Sequence, residues 1–363
     1  MLKGFGHLLR SEGIAMFQII VPTGYMGSGS SAITDLISEI EGYDAPNGTF
    51  EYVFLHCPNG VFDLADKLLI GNNALRSDEA LHSFYHTMCE LHSKKYWWVA
   101  NYRTRVSPNF LRITGEYIEQ LIQFKPNFYW YQQENTNTRM FWQLCVKKAV
   151  SLLTFHKVQL PKPLLYPEVW LSIPSQEEFY RLTKEYIRKI MVEIGVEKRN
   201  LVLDQLLLPF NLFRVDDYFD DNLHVFSVTR DPRDVFIINK YVWPAKNEVV
   251  PFPTDAEQFA QFYRRMRQSE QQSDSSKIHR FAFEDLIYRY DESLQRVYDA
   301  LQVSSQAHTA KRQCFDPDRS INNTQLFLVK DQYRKEAQII ADLLPEYLYQ
   351  FPYERVPEIG RTF

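Results

Sequence analysis

The chain has 363 residues with a formal net charge of −4, 45% of them hydrophobic and 15% aromatic. That is enough for one large globular domain or two smaller ones, while the acidic balance argues against a general nucleic-acid binder, whose footprint is basic. Four scattered cysteines, Cys57, Cys89, Cys145 and Cys314, contain no C-x-x-C pair and indicate neither a disulfide framework nor a cysteine metal site. No window approaches the about 18 apolar residues of a membrane span, and the opening Met1-Leu-Lys-Gly-Phe-Gly-His7 lacks a sustained apolar run. The expectation is a cytoplasmic protein with reduced thiols and no membrane span.

In chain order, the apolar run from Phe17 to Val21 reads as a strand, residues 24–31 as a Gly/Ser-rich turn, and Ile33, Leu36, Ile37 and Ile40 as the buried face of a helix. Strand, loop and helix in this order let backbone N–H groups cradle a phosphate. Against G-x-x-x-x-G-K-[ST], Gly24 and Gly29 match the glycines and Ser31 the hydroxyl, but Ser30 replaces the lysine. That argues against γ-phosphoryl transfer and for a nucleotide with a single 5′-phosphate-type group. A glycine-serine turn without a ligand is the competing reading.

A turn at residues 44–49 precedes Phe50-Glu-Tyr-Val-Phe-Leu-His56, which reads as a second strand and completes a strand–helix–strand unit. The implied fold class is α/β, a parallel β-sheet flanked by helices. Residues 61–200 read as a long, mainly helical insertion, rich in aromatics and assigned to the substrate side. Within it Ser175-Gln-Glu-Glu178 is a capping box opening a helix that Gly195 stops. Strands are expected at 200–208, 223–229 and 278–283. Thr254-Asp-Ala-Glu257 caps another helix, Leu294, Val297, Tyr298 and Leu301 mark the next, and a last one runs near 332–344. With no internal repeat, the simplest organisation is a single α/β domain over 1–363.

The strand at 223–229 leads into Arg230-Asp-Pro-Arg233-Asp234, placing two arginines at the same edge as the glycine loop; arginine forks suit phosphate oxygens. An internally paired charged turn is the alternative. Here the chain resembles the sulfotransferase family, which transfers a sulfonate group from 3′-phosphoadenosine 5′-phosphosulfate (PAPS) and releases 3′-phosphoadenosine 5′-phosphate (PAP). Gly27-Ser28-Gly29-Ser30-Ser31 looks like the family's 5′-phosphosulfate loop, and Arg230 to Asn239 is similar to its 3′-phosphate motif. Phe283-Glu-Asp-Leu286 and Phe315-Asp-Pro317-Asp-Arg-Ser320-Ile-Asn-Asn323 resemble two later landmarks.

The resemblance implies a P-loop-like sulfotransferase fold, with Gly24, Gly27, Ser28, Gly29, Ser30, Ser31, Arg230, Asn239 and Asn323 binding PAPS. It implies sulfonation of a carbohydrate hydroxyl without a metal, Glu51 being the match to the glutamate base of carbohydrate-type members. The chain departs from the family at Gly27, where a basic residue normally stands, and in the second motif, where the usual serine falls at or beside Ile238 and Asn239, of which only Asn239 could donate the same hydrogen bond. Lys94, Lys95, Arg103 and Arg105 are candidates for the missing cation. His56 and Asp204 are the other candidate bases. His82, His86, Cys89 and His92 fall near one helical face but lack the H-E-x-x-H glutamate, so a solvated helix is the favoured reading. A P-loop kinase or nucleotide-binding protein, and a non-catalytic sulfotransferase-fold protein binding glycans, are the competing functions.

Overall fold

The computed structural model describes residues 17–48, 50–134, 137–197, 199–247 and 250–358; the opening Met1 to His7 lies outside them. At its centre β1 (Ile19–Gly24) is fully buried, as expected of a β-branched run covered on both faces. The sheet has five strands in the order β2 (Tyr43–Asp44), β3 (Asn200–Val202), β1, β4 (Leu223–Thr229), β5 (Ile278–Ala282), and every pairing is parallel. The expected class, a parallel sheet flanked by helices, is the one observed.

Helix α1 (Ser31–Ser38) follows the glycine loop. Between β2 and β3 come α2 (Val61–Leu69), α3 (Ala74–Ser93), α4 (Tyr102–Arg105), α5 (Phe110–Leu121), α6 (Thr138–Leu153) and α7 (Gln176–Ile194). After β3 follow α8 (Val215–Tyr218), α9 (Pro232–Ile237), α10 (Ala256–Gln268), α11 (Asp285–Tyr288), α12 (Tyr290–Leu301), α13 (Pro317–Ser320) and α14 (Asp331–Leu343). Local signals set many of these ends. Ser175 Oγ accepts from the Glu178 N–H at 3.2 Å and Gly195 closes α7 in the left-handed region. The cap of α10 is Asp255, one residue past the expected Thr254, accepting from the Gln258 N–H.

Two strand expectations are corrected. Residues 50–56 form no strand: the N–H groups of Val53 and Phe54 both donate to the Tyr102 hydroxyl, at 2.9 and 3.2 Å, and the chain then turns through a Cys57 N–H to Val53 carbonyl bond. Phe50, Tyr52, Val53, Phe54 and Leu55 are all buried, and an unbroken apolar run does not separate a strand from a buried turn. The short Tyr43–Asp44 takes the second-strand role. The strand expected at 200–208 ends early: Leu203 and Gln205 still donate to the Ile20 and Pro22 carbonyls, but Gln205 adopts φ +53° and turns the chain away.

The chain runs from β1 outward to β2, returns to β3, and crosses to β4 on the other side of β1. The β1 and β4 connections therefore leave in opposite directions, opening a crevice at their carboxyl ends where ligands of such sheets bind.

Candidate functional site

Three segments frame this crevice. After β1, residues 25–30 turn through Gly27 at φ +84° and Gly29 at φ +83°, a region glycine enters freely. The N–H groups of Gly27, Gly29, Ser30 and Ser31 donate to no described residue, and the buried Ser28 Oγ has no hydrogen-bond partner among the described residues. Close approach explains two of the glycines. A Cβ on Gly24 would lie 2.1 Å from Ser28 Oγ, and one on Gly29 would lie 2.6 Å from the Phe283 ring. Gly29→Ala combines that clash with a strained φ, so a loss of about 1–3 kcal/mol is expected, read as a lowered urea midpoint.

After β4, Arg230 turns under the loop. It is 3% exposed, donates from Nη1 to the Gly27 carbonyl at 3.1 Å and from Nη2 to the Asn323 carbonyl, and lies 4.5 Å from the Phe283 ring centre. All four landmark segments thus converge on one guanidinium. Arg233 behaves differently, because its guanidinium is held by the Asp231 carboxylate at 2.9 and 2.7 Å, the internal pairing that the sequence left open. Asp231 also caps α9 through the Arg233 N–H. Asn239 is fully buried and donates from Nδ2 to the Val235 carbonyl at 2.8 Å.

Carboxylates surround Arg230. Glu284 accepts from the Asp231 N–H at 2.9 Å, and Asp234 accepts from the Gln325 and Leu326 N–H groups at 2.8 and 2.7 Å, fixing the chain just past Asn323. Burial raises Asp234 to about 7 and Glu284 to about 8, because a low-dielectric interior disfavours the charged form.

After β3, Gln205 joins the loop to this edge: its Nε2 donates to Ser30 Oγ at 3.2 Å and its Oε1 accepts from Thr23 Oγ1 at 3.0 Å. Beside it Asp204 is buried, accepts the Tyr52 N–H on its carbonyl, and has Oδ1 without a hydrogen-bond partner among the described residues. Burial, reinforced by the Glu51 charge, raises Asp204 to about 7. Burial also raises Glu51, which stands on the irregular 50–53 segment and not on a strand. His56 Nε2 donates to the Gln205 carbonyl at 2.8 Å, which commits that nitrogen, and burial lowers its pKa.

Of the expected cations, Arg105 lies 4.6 Å from the ring of Phe50, the residue before Glu51. Lys94 pairs with Glu90 and lies over Trp97, and Arg103 raises the positive field at His92. Sequence reasoning overlooked Arg267, whose guanidinium lies 5.5 Å from the ring of Tyr25 in the loop. It also overlooked Gln205, because no local pattern announces a side chain whose partners are 175 and 182 residues away. His82 stacks between Tyr166 and Trp170 at 3.7 and 3.8 Å, and His92 stacks on Phe110. Among the described residues no group of three or more His, Cys, Asp or Glu side chains is placed to hold a metal ion.

No protein-family model and no curated protein matches the chain. A solved structure described as the "Sulfotransferase Domain from the Curacin Biosynthetic Pathway" is similar to it with 14% sequence identity and a TM-score of 0.37, covering 93% of this chain and 99% of that one. That similarity is too distant to place the chain in a family.

Proposed function

We propose that the protein is a PAPS-dependent sulfotransferase acting on a carbohydrate hydroxyl. One observation carries the proposal: the segments at 24–31, 230–231, 283–286 and 315–323, far apart in sequence, meet at Arg230 through its bonds to the Gly27 and Asn323 carbonyls and its stacking on Phe283. The donor set fits a phosphate-type anion, since four N–H groups and the Ser28 hydroxyl that have no partner among the described residues lie in one turn. Gly27, Ser28, Gly29, Ser30 and Ser31 would hold the 5′ end of the nucleotide, with Gly24 keeping the turn tight. Arg230, Asn239 and Asn323 belong to the 3′-phosphate side. Bound PAPS supplies an activated sulfonate on a good leaving group.

The chain itself must bind the acceptor, remove its proton and hold charge. Asp204, raised to about 7 by burial and the neighbouring Glu51, loses its proton near neutrality and so suits a general base. Glu51 is the second candidate and, through its resemblance to the glutamate base of carbohydrate-type members, the one that points to a carbohydrate acceptor. His56 is less suited, its Nε2 being engaged by the Gln205 carbonyl.

PAP at saturating concentration is expected to raise the melting temperature, and labelled PAPS to transfer sulfate to a glycan pool. In the wild type kcat should rise with pH through about 7 as Asp204 deprotonates. Asp204→Asn should remove that limb and lower kcat by about 10²–10⁴-fold, and Glu51→Gln should shift the limb to lower pH by removing a neighbouring negative charge. No melting shift with PAP overturns the proposal. A shift by Mg-ATP alone points to a kinase, and nucleotide binding without turnover, indifferent to Glu51→Gln, points to a non-catalytic glycan binder.

A further inference from the structure

Helix α6 leaves most of its apolar face exposed, with Trp142 and Val146 also lining a groove against Leu160 and Pro161. Met140 is the one residue the helix buries, whereas Phe141, Trp142, Cys145, Val146, Leu152 and Leu153 are all exposed, Trp142 at 64% and Leu153 at 80%. At the 3.6-residue period these six, with Ala149, occupy one arc of about 140° that only Thr138, in the first turn, interrupts. The partly buried Lys147 and Ser151 and the exposed Gln143 lie on the opposite side, with Met140. Phe155, at 86% exposure, extends the patch past the helix end. An exposed apolar stripe of this size marks a docking surface, and a helix of this length is marginal in water without a partner for that face.

Charge identifies the partner. Residues 135–167 contain five cations, Arg139, Lys147, Lys148, Lys157 and Lys162, and no carboxylate, although the whole chain is at −4. Among the described residues only Lys162 of these five is ion-paired, to Glu134. On the helical period Arg139 and Lys148 flank the two edges of the apolar arc. A second copy laid on this face would bring cations against cations with no acidic partner, whereas an anionic bilayer offers both an apolar interior and phosphate headgroups. No helix among the described residues is long and apolar enough to cross a membrane, so α6 would lie along the surface.

We propose that α6 docks the protein onto an anionic lipid surface, with Phe141, Trp142, Val146, Leu152 and Leu153 entering the headgroup–acyl boundary and Arg139 and Lys148 pairing with lipid phosphates. This is independent of the chemistry at the crevice.

The test is co-sedimentation of the full chain with phosphatidylglycerol-containing vesicles against pure phosphatidylcholine. The chain should pellet with the anionic vesicles, less so as salt is raised, and the neutral vesicles should bind about ten-fold or more weakly. Trp142→Ser with Leu153→Ser should abolish pelleting. Should that pair disturb folding by circular dichroism, Arg139→Glu with Lys148→Glu, both at exposed positions, decides the matter by weakening anionic binding by about 30-fold or more. No pelleting, or equal and salt-independent pelleting with both lipids, overturns the proposal. So does a lipid-free dimer that the serine pair dissociates, which would assign the face to a second copy.

Discussion

Arg230→Ala is expected to destabilise the protein by about 3–5 kcal/mol, the usual consequence of removing one partner from a buried charge group, and to abolish the melting-temperature shift by PAP. The guanidinium is desolvated beneath the loop, and its loss removes one hydrogen bond to each of the Gly27 and Asn323 carbonyls. It also removes one of the positive charges that offset buried Asp231, Asp234 and Glu284, Arg233 remaining as another. The effect should depend on pH. Asp234 and Glu284 have folded pKa values raised to about 7 and about 8, so the native state binds their protons more tightly than the unfolded chain does. Their contribution is fully present below the ordinary carboxylate range and is lost as pH rises through 7 to 8. Without Arg230 both should stay protonated to still higher pH. Urea unfolding should therefore show a smaller deficit at pH 6 than at pH 9, and a deficit independent of pH would remove this account. Arg230→Lys keeps the charge but not the fork, and should fall between the two.

Glu39→Gln is the second large effect, expected at about 3–5 kcal/mol by equilibrium unfolding. The Glu39 carboxylate is fully buried just past α1 and accepts four donors: the N–H groups of Arg312, Cys314 and Phe315 at 3.0, 2.7 and 2.8 Å, and His308 Nε2 at 2.6 Å. His308 in turn meets the Tyr298 hydroxyl at 2.7 Å. Glutamine offers one acceptor oxygen and turns an amide donor toward N–H groups, leaving buried donors unpaired. Because this carboxylate pins residues 312–315 to α1, and that segment leads through α13 to Asn323 beside Arg230, the variant should also become sensitive to trypsin at Lys311 or Arg312. His308→Ala should reproduce part of the loss, and the pair should be non-additive by about 0.5–3 kcal/mol. Additive losses would mean that Glu39 and His308 act separately.

The two sites differ in how far they could be read in advance. Arg230 stands directly after an alternating apolar strand, so its place at the carboxyl edge follows from local pattern. Glu39 sits at the end of a helix amid ordinary acidic residues, and its partners lie 269 to 276 residues away. Burying it is a tertiary decision. Asp204 is similar: the sequence puts it near a strand end, but its raised pKa comes from burial and from Glu51 across a segment whose shape was misread.

By itself the sequence determined what depends on neighbours a few residues apart. β1 with its glycine loop and α1, β4, β5, the Ser175 cap and Gly195 stop of α7, and the buried face of α12 all follow from apolar period and capping chemistry. Tertiary structure decided what depends on partners far away. The Tyr102 hydroxyl, bonding the Val53 and Phe54 N–H groups, stops 50–56 from becoming a strand, and the Tyr43–Asp44 pairing takes its place. Asp231 claims Arg233 and leaves Arg230 to the loop, while Gln205 ties Ser30 to the β3 edge. The division has one physical cause: helical period and caps are fixed by local bonds, whereas a buried donor or charge takes whichever partner the finished packing brings within reach.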